Sequence, residues 1–153
     1  MGIRKGLILI LTAVLLTSNH YSSEPAQSDE ARLAVVLEAV SLAGIPYIYG
    51  GEDLRGMDCS GLVYMLYAPQ VPGLPRRAVD QYRFGESVTT GNELPGDLVF
   101  FNTYGWSASH VGIYLGENRF VHAASGTRDR GVIISSLEDP YYRLRYLGAR
   151  RLR

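Results

Sequence analysis

Apolar positions fall into three regimes along this chain, and each predicts a different kind of structure. An almost unbroken apolar run, Leu7 to Leu16 (LILILTAVLL), comes first, with Arg4 and Lys5 before it and the polar stretch TSNHYSSEPAQS after it. From Ser28 the spacing turns helical: Leu33, Val36, Leu37 and Val40 recur at i, i+3, i+4 and i+7, with Asp29 and Glu30 in the first turn. Gly44 and Pro46 stop that helix. Tyr47-Ile48-Tyr49 is a short extended piece ending at Gly50-Gly51, and a polar loop runs on to Met57. Asp58 can cap a second helix carrying Leu62, Val63 and Leu66, which ends at Pro69. Residues 69–96 are rich in Pro and Gly and predict one short helix around Arg77 to Phe84. Past Pro95-Gly96 the pattern becomes that of strands. Leu98 to Phe101, Val111 to Leu115, Phe120 to Ala123, Val132 to Ser135 and Leu144 to Leu147 are separated by Gly, Asn and Asp turns. The first of these is apolar throughout, as expected of a strand buried on both faces. Helices followed by antiparallel strands predict an α+β domain, its helices packed on one sheet of about five or six strands.

Length and composition fit one domain: 153 residues, 46% hydrophobic and 20% charged. The boundary is placed at residue 28, with 1–27 a signal peptide and polar linker and 28–153 a single domain. The first apolar run is too short for the ~20 residues a spanning helix needs, but it suits an export signal. No small-x-small cleavage site stands out, so the segment is either cleaved or kept as an anchor. Contact with a membrane is expected only through it. The formal net charge is zero, which gives no general attraction to nucleic acid. Lys5 is the only lysine, and Arg128, Arg130, Arg143, Arg145, Arg150, Arg151 and Arg153 crowd the C-terminus. These read as solvated strand-edge and tail charges, with attraction to an anionic polymer as the alternative.

Cysteine usage changes the picture. Exported domains commonly carry paired cysteines, whereas this chain has one. A cap at Asp58 would put Cys59 in the first turn of its helix, where free N–H groups and the helix dipole favour a thiolate. With an imidazolium partner the thiol is expected to be unusually acidic, although Asp58 opposes this by like charge. Small Ser60 and Gly61 would let a carbonyl approach the backbone amides that stabilise developing negative charge. Of the histidines, His20 falls in the leader, while His110 and His122 fall on neighbouring strands. Two strand histidines in a chain with one cysteine fit nucleophile, base and orienter. The same three side chains suit zinc by type but match no compact zinc spacing. Trp106, in the loop before His110, reads equally as a cleft wall or a surface patch.

The ordered runs YIYGG, MDCSGLV, LPRRAVDQ, LPGDLVFF, SHVGIYLG and FVHA closely resemble the NlpC family of cell-wall cysteine peptidases, over roughly residues 30 to 153. The resemblance implies a papain-like fold with Cys59 as nucleophile, His110 as general base and then acid, and His122 as the orienting residue. It implies further that Tyr47 helps the oxyanion hole, that Asp58 and Ser60 contact the free amino end of the peptide, and that Arg76 lines the same cleft. It also implies peptidoglycan stem peptides as substrate, commonly cut between D-glutamate and diaminopimelate, in the periplasm or cell envelope. This scheme requires neither cofactor nor metal, and a monomer is expected. An acyl transferase or amidase using the same groups and a non-catalytic wall-binding module are the rivals.

The pairing of two histidines carries a constraint. They must share a sheet face, so opposed residues on their strands must have numbers of even sum. A plain four-residue loop from Gly116 to Arg119 would pair Leu115 with Phe120 and separate the rings. An odd loop or a bulge is therefore expected, using Gly112, Gly116 and Asn118, with His122 opposite a residue such as Gly112.

Overall fold

A computed structural model describes residues 28–105, 107–126 and 130–153. The expected leader and linker, residues 1–27, lie outside the described residues, as do Trp106 and Arg128. The elements follow the order α1 (Asp29–Ser41), β1 (Glu52–Asp53), β2 (Gly56–Met57), α2 (Cys59–Tyr67), α3 (Ala78–Phe84), β3 (Glu86–Val88), β4 (Leu98–Phe101), β5 (His110–Gly116), β6 (Arg119–Ser125), β7 (Arg130–Ser136), α4 (Pro140–Arg143) and β8 (Tyr146–Arg151). One six-stranded antiparallel sheet has the order β3-β8-β4-β5-β6-β7, and β1 and β2 form a separate hairpin. This is the α+β architecture that the sequence pattern predicts.

Alternation along the central strands feeds two cores. Leu98, Phe100, Val111, Ile113, Val121 and Ala123 meet Val35 and Ala39 of α1 and Leu62, Val63 and Leu66 of α2. On the opposite face Val99, Phe101, Tyr114, Phe120 and Ala149 form a smaller core with Val88, Leu137, Tyr142 and Tyr146 around it. All four β4 side chains are buried, which is why that strand reads as continuously apolar. Fully burying Phe100 or Phe101 contributes about 1.5–3 kcal/mol each.

Three local expectations are corrected. Leu33 and Leu37 of α1 face outward, 54% and 63% exposed, and the buried stripe is Arg32, Val35, Val36 and Ala39. The helix turns to that face because Arg32 reaches a partner in the interior. The last strand begins at Tyr146 rather than Leu144, because Asp139 caps α4 and Pro140 occupies its first turn. The polar loop before Met57 contains the β1–β2 hairpin, where Glu52 pairs with Met57. Strand β3, in the Pro- and Gly-rich stretch, is not marked in the sequence pattern; among the described residues it pairs with β8 at the sheet edge.

Among the C-terminal arginines, Arg150, Arg151 and Arg153 have partners in the fold. Asp97, fully buried, accepts from Arg151 Nε at 2.9 Å and Nη2 at 2.8 Å, from Arg32 Nη2 at 2.9 Å and from the Leu94 amide at 2.8 Å. Burial alone would raise this carboxyl, but hydrogen bonds from Arg151 and Arg32 hold it below its ordinary value. Arg150 lies over the Tyr82 ring at 3.9 Å, and Arg153 pairs with Glu86 at 2.8 Å. Because Asp97 follows the turn that starts β4, the network ties α1, β4 and β8 together. Asp97→Ala, which strands the buried Arg32 guanidinium, is expected to cost about 3–5 kcal/mol by urea denaturation. Arg153→Ala, at a pair half exposed on both sides, is expected to cost under about 1 kcal/mol. Equal losses for the two variants would refute the structural role of Asp97.

Candidate active site

The start of α2 is held by a single carboxylate. Asp58 Oδ1 accepts from the Gly61 amide at 2.7 Å, the capping bond expected from sequence, and so places Cys59 in the first turn. Asp58 Oδ2 accepts from the Gly50 amide at 2.8 Å. Arg76 Nη1 donates to Asp58 Oδ1 at 2.9 Å and to Ser60 Oγ at 3.0 Å, and Nη2 donates to the Gly51 carbonyl at 2.9 Å. Arg76 Nε reaches Glu52 Oε2 at 2.8 Å. A Cβ at position 61 would collide with the Gly51 carbonyl oxygen, so the small residue after Ser60 serves this close approach. Gln81, fully buried on α3, donates to the carbonyls of Ser60 and Pro75 and so fixes the segment that carries Arg76.

His110 opens β5 and His122 lies within β6. Ile113 pairs with Val121 and Tyr114 with Phe120, both even sums, and the register then shifts so that Gly116 meets Arg119. Leu115 is the extra residue of a bulge, and Glu117 and Asn118 turn the chain with φ of 51° and 57°. Continuing the register puts Gly112 opposite His122. Its role differs from the one expected: Gly112 is absent from the left-handed region, and instead it makes room. A Cβ there would lie 2.6 Å from Phe120 Cδ2, 2.9 Å from the Val121 carbonyl oxygen and 3.2 Å from His122 Cβ. The rings meet nearly perpendicular at 89°, with His110 Nε2 2.8 Å from His122 Nδ1. The other nitrogen of His122, Nε2, is 2.9 Å from Ser135 Oγ and 3.4 Å from the Tyr142 hydroxyl.

Cys59, His110 and His122 line one cleft of about 850 Å³, together with Tyr47, Asp58, Ser60 and Arg76. The seven residues given a catalytic or substrate-binding part in the sequence analysis therefore border the same space. Ser135 and Tyr142 border it too, and the sequence pattern does not mark them, because a polar residue on an edge strand and a tyrosine in a one-turn helix carry no distinctive spacing.

Electrostatics depart from the expected acidic thiol. Burial pushes Cys59 up to about 11, and the hydrogen bonds its sulfur receives from the Val111 and Ser60 amides only partly offset this, while Asp58 adds to it. Burial takes His110 down to about 4. Burial likewise holds His122 well below its ordinary value, with repulsion from His110 adding to the effect. The closed site thus favours a neutral thiol and a neutral imidazole. Desolvation penalises both charges of an ion pair and outweighs the helix terminus. Burial also raises Tyr47 to about 12, with Cys59 and Asp58 contributing, so its hydroxyl keeps its proton through the neutral range.

Two outcomes follow from this geometry. Alkylation of Cys59 by a neutral reagent should be slow near neutrality and climb through a midpoint above that of a free thiol, ~8.5. A rate already on its plateau below neutrality would establish an ion pair instead. Gly112→Ala should cost about 1–3 kcal/mol by overpacking and should separate the imidazole rings, which histidine side-chain NMR would register. Unchanged histidine signals would show that this spacing is not needed.

Comparisons with known proteins identify the family. The sequence profile of the NlpC/P60 family matches residues 44–151. Over 110 residues the chain is 44% identical to the murein DD-endopeptidase MepS/murein LD-carboxypeptidase of Escherichia coli (strain K12), covering 71% of this chain and 56% of that protein. It thus spans about half the length of that relative. Over 153 residues it is 36% identical to the probable endopeptidase NlpC of the same strain, covering 95% of this chain and 97% of that protein. A solved NlpC/P60 family protein from Bacillus cereus ATCC 10987 superposes with a TM-score of 0.73 at 32% identity, covering 80% of this chain and 40% of that one. On the profile match, the two relatives and the shared fold, the chain belongs to the NlpC/P60 family.

Proposed function

We propose that this chain is an exported cysteine peptidase that hydrolyses an amide bond in peptidoglycan stem peptides, the one between D-glutamate and diaminopimelate. Residues 28–153 form its one catalytic domain, and 1–27 direct export to the periplasm or cell envelope. The observation that carries the reading is the 2.8 Å contact between His110 Nε2 and His122 Nδ1, in a cleft whose floor holds Cys59 at a helix N-terminus.

The neutral pair sets the order of events. His110 takes the thiol proton as sulfur attacks the scissile carbonyl, so charge develops only when substrate fills the cleft. Helix α2 supplies backbone N–H groups near the developing oxyanion, and the Tyr47 hydroxyl, still protonated, adds a donor. His110 then protonates the leaving amine, and the acyl group remains on Cys59 as a thioester. Water activated by His110 releases it. His122 holds the His110 ring in place throughout. Asp58 and Ser60 receive the amino end of the peptide, with Arg76 fixing both.

The MepS relative's name favours a second reading, cleavage of a DD cross-link. Mass spectrometry of digested muropeptides separates the two. Fragments ending in D-glutamate support the first bond, and conversion of cross-linked dimers to intact monomers supports the second. Adducts with an added amine would reveal a transferase, and binding without any product a wall-binding module. In the same assay Cys59→Ala should abolish turnover. His122→Ala should lower kcat by about a hundredfold or more yet leave measurable activity. Wild-type turnover in His122→Ala would remove it from the machinery.

A further inference from the structure

We infer that Ser135 is a positioning residue for the reaction: its hydroxyl oxygen accepts the Nε2–H of His122 and so sets the tautomer that makes His110 a base. The inference rests on the Cys59–His110 reading above.

Register brings Ser135 to this position. On β7, Ile133 pairs with His122 and Ser135 with Phe120, so Ser135 lies diagonally across from His122 on the same face. Its Oγ is 2.9 Å from His122 Nε2, nearer than the Tyr142 hydroxyl at 3.4 Å. His122 is fully buried, its ring centroid 4.8 Å from that of Phe120 and 5.3 Å from that of Tyr142.

Proton bookkeeping along this row leaves two arrangements, since a neutral imidazole carries one N–H. In the first, His110 Nε2–H donates to His122 Nδ1 and His122 Nε2–H donates to Ser135. This leaves the His110 Nδ1 lone pair free to take the thiol proton. In the second every bond is reversed, and His110 Nδ1 already bears a proton and cannot act as a base. Once His110 is protonated only the first survives, because both of its nitrogens then donate. His122 Nδ1 must accept and Nε2–H needs an acceptor. Ser135 therefore matters most when His110 carries charge, during attack and leaving-group protonation. A buried donor left without an acceptor at that moment is costly.

Ser135→Ala is expected to lower kcat about tenfold or more with KM little changed. It should also move the acid limb of the kcat/KM profile to lower pH, because the protonated His110 loses support. Ser135→Thr, which keeps the hydroxyl and suits a strand, should restore activity. Nitrogen NMR of the wild-type chain should show His122 protonated at Nε2 near neutrality, a readout that needs no variant to fold. The inference is overturned by protonation at Nδ1 of His122. It is equally overturned by a folded Ser135→Ala with wild-type kcat and an unmoved acid limb, or by an effect that appears in Tyr142→Phe in place of Ser135→Ala. Activity retained in His110→Ala would instead refute the Cys–His reading itself.

Discussion

Side chains alternate faces along a strand, so one residue of slippage between β5 and β6 would send His122 to the face opposite His110. The bulge at Leu115 prevents that, and the left-handed Glu117-Asn118 turn closes the hairpin in the register that results. Much hangs on this offset. It sets the 2.8 Å approach of the two rings, puts Gly112 where a side chain would not fit, and leaves Tyr114 and Phe120 packed in the smaller core. Bulges are common beside functional sites because they re-aim side chains without breaking the sheet. Here the aim is two histidines at one point.

Cys59 is placed by equally local means. Asp58 caps α2, accepts from the Gly50 amide and pairs with Arg76, so one carboxylate joins the helix start, the preceding loop and the segment before α3. Its charge lies against Cys59 and opposes the thiolate, which looks counterproductive. The Arg76 guanidinium offsets it at 2.9 Å, and desolvation remains the larger influence on the thiol. A sulfur kept neutral until substrate arrives is also less open to oxidation, since susceptibility follows thiolate character and exposure.

Much of this was legible in the sequence, for identifiable reasons. Cys59 stood out because an aspartate cap, a lone cysteine and two small residues occur together. The histidines stand out because the strand pattern around them is strong, and the parity argument requires an odd-length loop or a bulge, of which the structure has the bulge. What sequence concealed depends on tertiary partners. The apolar spacing of α1 pointed to Leu33 and Leu37, yet a buried arginine–aspartate network turned the helix by about one residue position. The shift of β8 was written in Asp139-Pro140, a helix start that the following apolar residues masked. The acidic thiol expected for Cys59 meets an opposing influence that sequence does not carry, because helix position is local, whereas burial depends on everything packed around it.

In the proposed mechanism a histidine takes the orienting position that a carboxylate could fill, and this changes the electrostatics of the site. A carboxylate stabilises the imidazolium by charge, but burying it among Phe120, Tyr142 and the sheet would carry a large desolvation penalty. Neutral His122 avoids that penalty and contributes a dipole and a hydrogen bond instead. The consequence is a weaker pull on the His110 proton, in keeping with a base taken down to about 4 by burial. In the proposed mechanism a base that weak takes the thiol proton as sulfur attacks the carbonyl. In that mechanism the neutral row from His110 through His122 to Ser135 confines charge to the moment of reaction, and the burial of both histidines enforces that confinement.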